Sequence, residues 1–415
     1  MQAWAALEVF AIDGGRDIDF LSRIFDKLLV NFTWWMNRED ADGRNVFEGG
    51  FMGLDNIGPL DRSHLPVHGV LEQSDATGWM ASYALSMAMI AAILEGSGHR
   101  PALDLVQKFL EHFAGIAEAL GTVGVWDERD GLFYDRLVLP DGSAVPVRVR
   151  SMVSMIPPLA AVVVPEEAID QSAVTDKMFA DYLRHHGLGR TEDLVAAGIL
   201  RGNPGKRRLL VGVTSRDQVR RLFHTLFDPA EFLSPHGLRS LSAYHREHPY
   251  VLDIQGVHAG IDYEPAESTT DMFGGNSNWR GPVWFPLNYL VATALERYHE
   301  FFGDELTIEY PTGSGTSATL DVVAAHLWER LVSIFLADAD GHRPCFGGVQ
   351  RLQTDPRWRN NLLFHEYFDG DNGAGLGASH QTGWTGLVAD VILRRHRAYP
   401  AASGVIQRLV RGEEI

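Results

Sequence analysis

At 415 residues with 45% apolar side chains, the chain has length for two or three ordinary domains or for one large core. Its formal charge of −18 repels phosphate backbones and anionic lipid, which argues against nucleic acid and membrane surfaces as partners. Cys345 is the single cysteine, which excludes an internal disulfide framework and a cysteine-based zinc site and fits a cytoplasmic setting. No run of 18 apolar residues marks a membrane span, and the start "MQAWAALEVFAIDGGRD" lacks the basic region and cleavage site of a secretory signal.

Helices dominate the chain in order. Met1 begins inside an apolar helical stretch. In 17–36, Ile18, Leu21, Phe25, Leu28, Leu29 and Phe32 recur at three-to-four spacing behind an Asp that can cap. Residues 75–96 are Ala- and Met-rich and apolar on most sides, so the helix they predict is buried. The segment 101–121 opens on Pro and closes on Gly, as helices do. A Pro-Asp-Gly turn between alternating residues predicts a β-hairpin over 131–151. Further helices are expected over 152–163, 173–185, 216–227, 282–302, 318–337, 383–397 and 402–411, making ten or eleven in all. The stretches 38–74, 228–281 and 339–382 between them are rich in Gly, Trp, His and Asp, and connections that long inside a compact domain usually carry function. An all-α scaffold with three long loops suggests helices packed in a ring with a site at one end.

The densest of these loops is "FHEYFDGDNGAGLGASHQTGW" at 364–384. A calcium loop starting at Asp369 would need Asp or Asn at its fifth position and Glu at its twelfth, where Gly373 and His380 stand. A phosphate loop fails as well, since neither GxGxxG spacing nor a following Gly-Lys-Ser/Thr is present. One alternative is a plain turn into the next helix. The other is a carboxylate, Glu366, held beside Tyr367 at the bottom of a pocket by glycines that let the backbone bend. Sugar hydrolysis needs a second carboxyl group, one acid and one base. Its best candidate is Asp55 in "FEGGFMGLDNIGPLDRS" (47–63), between Leu54 and Asn56 in a semi-apolar setting that favours the protonated acid. Turn or capping roles for Asp55 and Asp61 are the competing reading. Ten tryptophans, several beside acids, suit stacking on sugars, although core packing explains most of them.

The motifs "GGFMGLDNIGPLDRS", "LEQSDATGWMASY", "DERDGLFYDRL", "STTDMFGGNSNWRGPVWFPLNYL" and "FHEYFDGDNGAGLGASHQTGWTGLV" together resemble the C-terminal catalytic domain of glycoside hydrolase family 63, in particular its bacterial glucosidase-like members. The family is related to processing α-glucosidase and to mannosylglycerate and glucosylglycerate hydrolases. The resemblance covers nearly the whole chain in order. It implies an (α/α)6 toroidal barrel, one catalytic domain over 1–415, and inverting exo-acting hydrolysis of α-glucosides or related short α-linked sugars, with no cofactor and no metal. It places the general acid on Asp55 and the general base on Glu366, expected roughly 6.5–9.5 Å apart to admit a water. It offers Asn278, Trp279 and Arg280 to the glycone, with Pro282 in the first turn of a barrel helix. Tyr367, His380, Gln381 and Trp384 form a further wall, with Trp34, Trp35, Glu72, Gln73, Asp75 and Tyr134 as weaker candidates. Arg239 and Tyr244 brace a loop or reach a plus subsite. Family members are commonly twice as long, with an N-terminal β-rich domain. The expectation is that this domain and the first barrel helices are missing, leaving an open barrel, a homo-oligomer, or a second chain that completes it. Two competing readings are another helical-barrel carbohydrate enzyme, trehalase-like or phosphorylase, and a truncated inactive remnant that binds a sugar or a partner.

Overall fold

A computed structural model describes residues 1–165, 200–202, 207–396, 404 and 408, apart from 41, 51, 271 and 273–276. The helix expected over 173–185 lies outside the described residues, as does that over 402–411 except at 404 and 408.

The chain opens with helix α1 (Gln2–Ile12) and α2 (Ile18–Met36). Asp17 caps α2 by accepting the Phe20 N–H at 2.7 Å, and Leu21, Phe25, Leu28 and Phe32 form its buried face. Helix α3 (Ser74–Gly96) is long and apolar enough to cross a membrane, but here it is a core helix, buried on nearly every side and packed against α1, α2 and α4 (Leu103–Thr122). The expected hairpin forms: Asp135–Val138 pairs antiparallel with Ala144–Val147, and Val70–Glu72 adds a third strand along Asp135–Val138. After it come α5 (Arg216–Leu226), α6 (Phe285–Phe302), α7 (Leu320–Ser333), α8 (Gln350–Thr354), α9 (Thr382–Thr385) and α10 (Val388–Arg395). There are ten helices among the described residues. Its sheets are small, each of two or three strands.

Three expectations are corrected. The helix read over 152–163 is instead two 3₁₀ turns, Met152–Met155 and Pro157–Leu159, and a strand, Ala161–Pro165. Pro157 and Pro158 supply no backbone N–H to a helical ladder, and the β-branched run behind them pairs with Arg208–Gly212. Helix α6 begins at Phe285, so its first-turn proline is Pro286 and Pro282 lies in the approach. The helix read over 383–397 splits into α9 and α10 around Gly386.

The core has two large parts. One gathers α1–α4 and the other gathers α5–α7 with the loops that lead to them. A smaller cluster lies between the hairpins, from Leu60 and Val67 to Leu252 and Ile261. The loop after α2 touches all three, burying Phe47 in the first, Leu54 and Ile57 in the second and Leu60 in the third. That anchoring gives this loop, which carries Asp55, a fixed position.

Candidate active site

Asp55 stands two residues after Gly53 (φ +78°), between buried Leu54 and buried Asn56. The Asn56 side chain does the holding. Its Nδ2 donates to Ser268 Oγ and to Asn278 Oδ1, both at 3.1 Å, and its Oδ1 accepts the Trp279 N–H at 2.7 Å. Arg280 adds two bonds, Nε to the Asn56 carbonyl at 2.9 Å and Nη2 to the Gly58 carbonyl at 3.4 Å. The segment 278–280 therefore clamps the Asp55 loop through the residues that follow the acid. Asp55 itself is half-buried and accepts the Ser277 hydroxyl. Burial raises its pKa above the ordinary aspartate value, the Ser277 bond pulls it partly back, and the charge of Glu366 raises it again. Asp55 thus lies within electrostatic reach of Glu366.

Glu366 runs into the short strand Tyr367–Phe368, which pairs with Gly375–Leu376. Phe368 and Val283 exchange two backbone bonds, at 2.8 and 3.0 Å, tying this strand to the approach of α6. The Glu366 carboxylate accepts the Ala378 N–H at 3.0 Å. Gly377, at φ +64°, lies so close that a Cβ there would stand 2.5 Å from the Tyr367 ring and 2.8 Å from Glu366 Oε2. A glycine is required at that position to bring the turn under the carboxylate. Tyr367 is fully buried, stacks on Trp284 at 4.8 Å and donates its hydroxyl to Glu267 at 2.7 Å.

A cavity of about 210 Å³ adjoins the Asp55 loop. Its wall includes Trp35, Met52, Gly53, Leu54, Trp79, Trp279 and Trp384, with Met1 and Gln2 at one side. That is smaller than the roughly 300–1,000 Å³ of pockets for drug-sized ligands. Asp55 follows wall residue Leu54, while Asp55 and Glu366 are not themselves in the wall. The Trp279 ring is buried against Trp284, centroids 3.6 Å apart, and its indole N–H has no hydrogen-bond partner among the described residues.

The other candidates divide by what their polar atoms already do. Asn278 and Arg280 serve the loop clamp, and Arg280 also faces Glu264 at 3.5 Å. Tyr134 is buried in the core with its hydroxyl on Asp130. Gln73 donates to the Gly50 carbonyl at 2.9 Å and so holds the glycine loop ahead of Asp55. Trp34 is 50% exposed, edge-on to Trp35 and under the Arg38 guanidinium. His380 is exposed beside the Phe364 ring, and the Gln381 N–H bonds the Phe364 carbonyl ahead of α9. Glu72 is ion-paired to Arg44 and Arg136, and Asp75 to Arg62. Arg239 bonds Tyr263, the Leu233 carbonyl and Asp371, bracing the loop behind Glu366, whereas Tyr244 stacks on His248. Among the described residues no group of three or more His, Cys, Asp or Glu side chains is arranged to hold a metal.

Sequence reasoning missed Asn56, Ser277 and Glu267. Asn56 and Ser277 stand inside motifs read for their neighbours, "GLDN" and "NSNW", and Glu267 directly precedes "STTD".

Residues 200–385 match the mannosylglycerate hydrolase MGH1-like glycoside hydrolase domain. The resemblance to glycoside hydrolase family 63 holds. The family 63 match takes in Glu366, Glu267 and the 278–280 clamp, while Asp55 lies outside it. An uncharacterized protein of Saccharomyces cerevisiae is 41% identical over 94% of this chain, which spans 37% of that protein. A probable mannosyl-oligosaccharide glucosidase of Schizosaccharomyces pombe is 23% identical over 44% of this chain and 16% of its own length. The chain therefore spans less than half the length of these relatives. Among solved structures, the GH63 mannosylglycerate hydrolase from Thermus thermophilus in complex with Tris and D-glycerate superposes with a TM-score of 0.51 at 13% identity, covering 95% of this chain and 76% of that one. An uncharacterized conserved protein from the same organism gives 0.50 at 14% identity, covering 99% and 75%. At such identities the superpositions speak to the fold alone.

Proposed function

We propose that this chain is an inverting exo-acting α-glycosidase on an (α/α)6 barrel, hydrolysing α-glucosides or related short α-linked sugars. The observation that carries the proposal is the asymmetry of the two carboxyl groups. Asp55 is biased toward the protonated form by burial and by the charge of Glu366, while Glu366 is the group that accepts the Ala378 N–H and is held by it. Asp55 donates its proton to the glycosidic oxygen as the C1–O bond breaks. Glu366 removes a proton from a water on the opposite face of the ring as its oxygen bonds to C1. The product from an α-linked substrate is the β-anomer, Asp55 ends ionised and Glu366 protonated, and proton exchange with solvent resets both. The aromatic wall of the cavity, Trp35, Trp279 and Trp384, suits the C–H faces of a sugar ring.

The test is proton NMR of the first-formed sugar with purified protein, alongside Asp55→Asn and Glu366→Gln. β-Anomer release and loss of turnover in both variants, with far-UV and near-UV spectra unchanged, are expected. An α-anomer as first product removes inversion, and near-normal turnover in either variant removes that residue from the reaction.

A further inference from the structure

One carboxylate at the edge of this site has no place in the two-acid scheme. Glu267 is exposed, yet its two oxygens serve two different segments. Oε2 accepts the Tyr367 hydroxyl at 2.7 Å, and Oε1 accepts the Gly377 N–H at 3.3 Å. Both partners adjoin the carboxylate of Glu366: Tyr367 is its chain neighbour, and Gly377 directly precedes Ala378, whose N–H donates to Glu366. The Tyr367 oxygen also accepts the Asn278 backbone N–H. Burial first, and then Glu267, push the Tyr367 phenol far up, so it stays protonated and keeps its donor role.

We propose that Glu267 is a positioning residue for Glu366, fixing the base from both sides through the Tyr367 hydroxyl and the Gly377–Ala378 turn. The proposal rests on the reading of Glu366 as the base. A Cβ on the left-handed Gly377 would collide with both Glu366 and the Tyr367 ring, so the turn is packed directly against the carboxylate. A carboxylate accepts a hydroxyl and an N–H simultaneously, whereas a glutamine in one orientation accepts only through its oxygen.

The experiment compares wild type, Glu267→Ala and Glu267→Gln by steady-state kinetics and by amide hydrogen exchange at Ala378. Positioning predicts that E267A lowers kcat by about 10- to 100-fold, the size of effect a small misplacement of a reacting group has. KM should change by no more than about threefold, because uniform binding is untouched. Exchange at Gly377 and Ala378 should be faster in E267A. E267Q should recover part of kcat, since it keeps an acceptor for Tyr367. Wild-type kcat in E267A, or unchanged exchange at Ala378, overturns the proposal. If wild type cleaves no glycoside, the proposed activity falls, and the exchange result still decides whether Glu267 holds the turn.

Discussion

The chemistry proposed for Asp55 depends on how tightly it holds its proton, and three groups act on that in opposite senses. Burial and the Glu366 charge favour the protonated form, while the Ser277 hydroxyl favours the carboxylate. As a general acid Asp55 must be protonated, so activity is lost as pH rises through its pKa. Ser277→Ala removes a hydrogen bond that stabilises the ionised form, so the alkaline limb of the kcat/KM profile should move to higher pH by about one unit, given what a hydrogen bond to a charged group contributes. A limb that stays in place or moves to lower pH would show that Ser277 does not bear on the group that titrates. Asp55 and Glu366 were readable as candidates from the glycine-rich loops that flank them. Ser277 was not, because nothing in "NSNW" says which side chain faces an acid 222 positions earlier, a matter of tertiary contact rather than pattern.

At the scale of elements, the strongly periodic segments were readable and their exceptions have local causes. Helices α2, α3 and α4 lie within two residues of their expected bounds: α2 repeats its apolar face at helical spacing, α3 is apolar nearly all round, and Pro101 and Gly121 mark the ends of α4. The stretch 152–163 misled because Met, Val and Ile fit either period, and its two prolines and later strand pairing decided the outcome. What no period could reveal is how the Asp55 loop is pinned at its far end. Arg62, buried, reaches Asp75 at the start of α3 with both Nη atoms, at 2.9 and 2.5 Å, and Asp135 on the hairpin at 3.1 Å. Burial holds the Asp135 carboxyl above its ordinary value even with the guanidinium beside it. Arg62→Ala leaves these acids without their cation and should cost roughly 3–5 kcal/mol by urea unfolding near neutral pH. Because the folded-state pKa of Asp135 then rises further above its unfolded value, the deficit should shrink as pH falls below that pKa and Asp135 takes up a proton. A deficit that grows on acidification would contradict this account of the cluster.

Across the whole molecule, the site is made where distant parts of the sequence meet, and Arg280 carries much of that meeting. Its guanidinium, 4% exposed, reaches the Asn56 and Gly58 carbonyls 224 and 222 positions away, and faces Glu264 on a third segment. Burial lowers its pKa and Glu264 opposes that, so the group keeps its charge through its neighbours. The family 63 domain match at 200–385 contains Arg280 and Glu366 but not the loop they act upon, which makes this side chain a link between the matched region and the acid. Arg280→Ala removes the link and strands Glu264, and should lower stability by roughly 3–5 kcal/mol. That result alone would not separate scaffold from chemistry, so Arg280→Lys is the sharper variant. A lysine ammonium restores a charge opposite Glu264 but cannot span two carbonyls with a planar fork. R280K should therefore recover most of the stability in urea while kcat stays at least about tenfold below wild type, the scale on which misplaced catalytic groups lose rate. If R280K turns over at the wild-type rate, the Asp55 loop holds its place without the fork, and the clamp belongs to folding rather than to the arrangement of the acid.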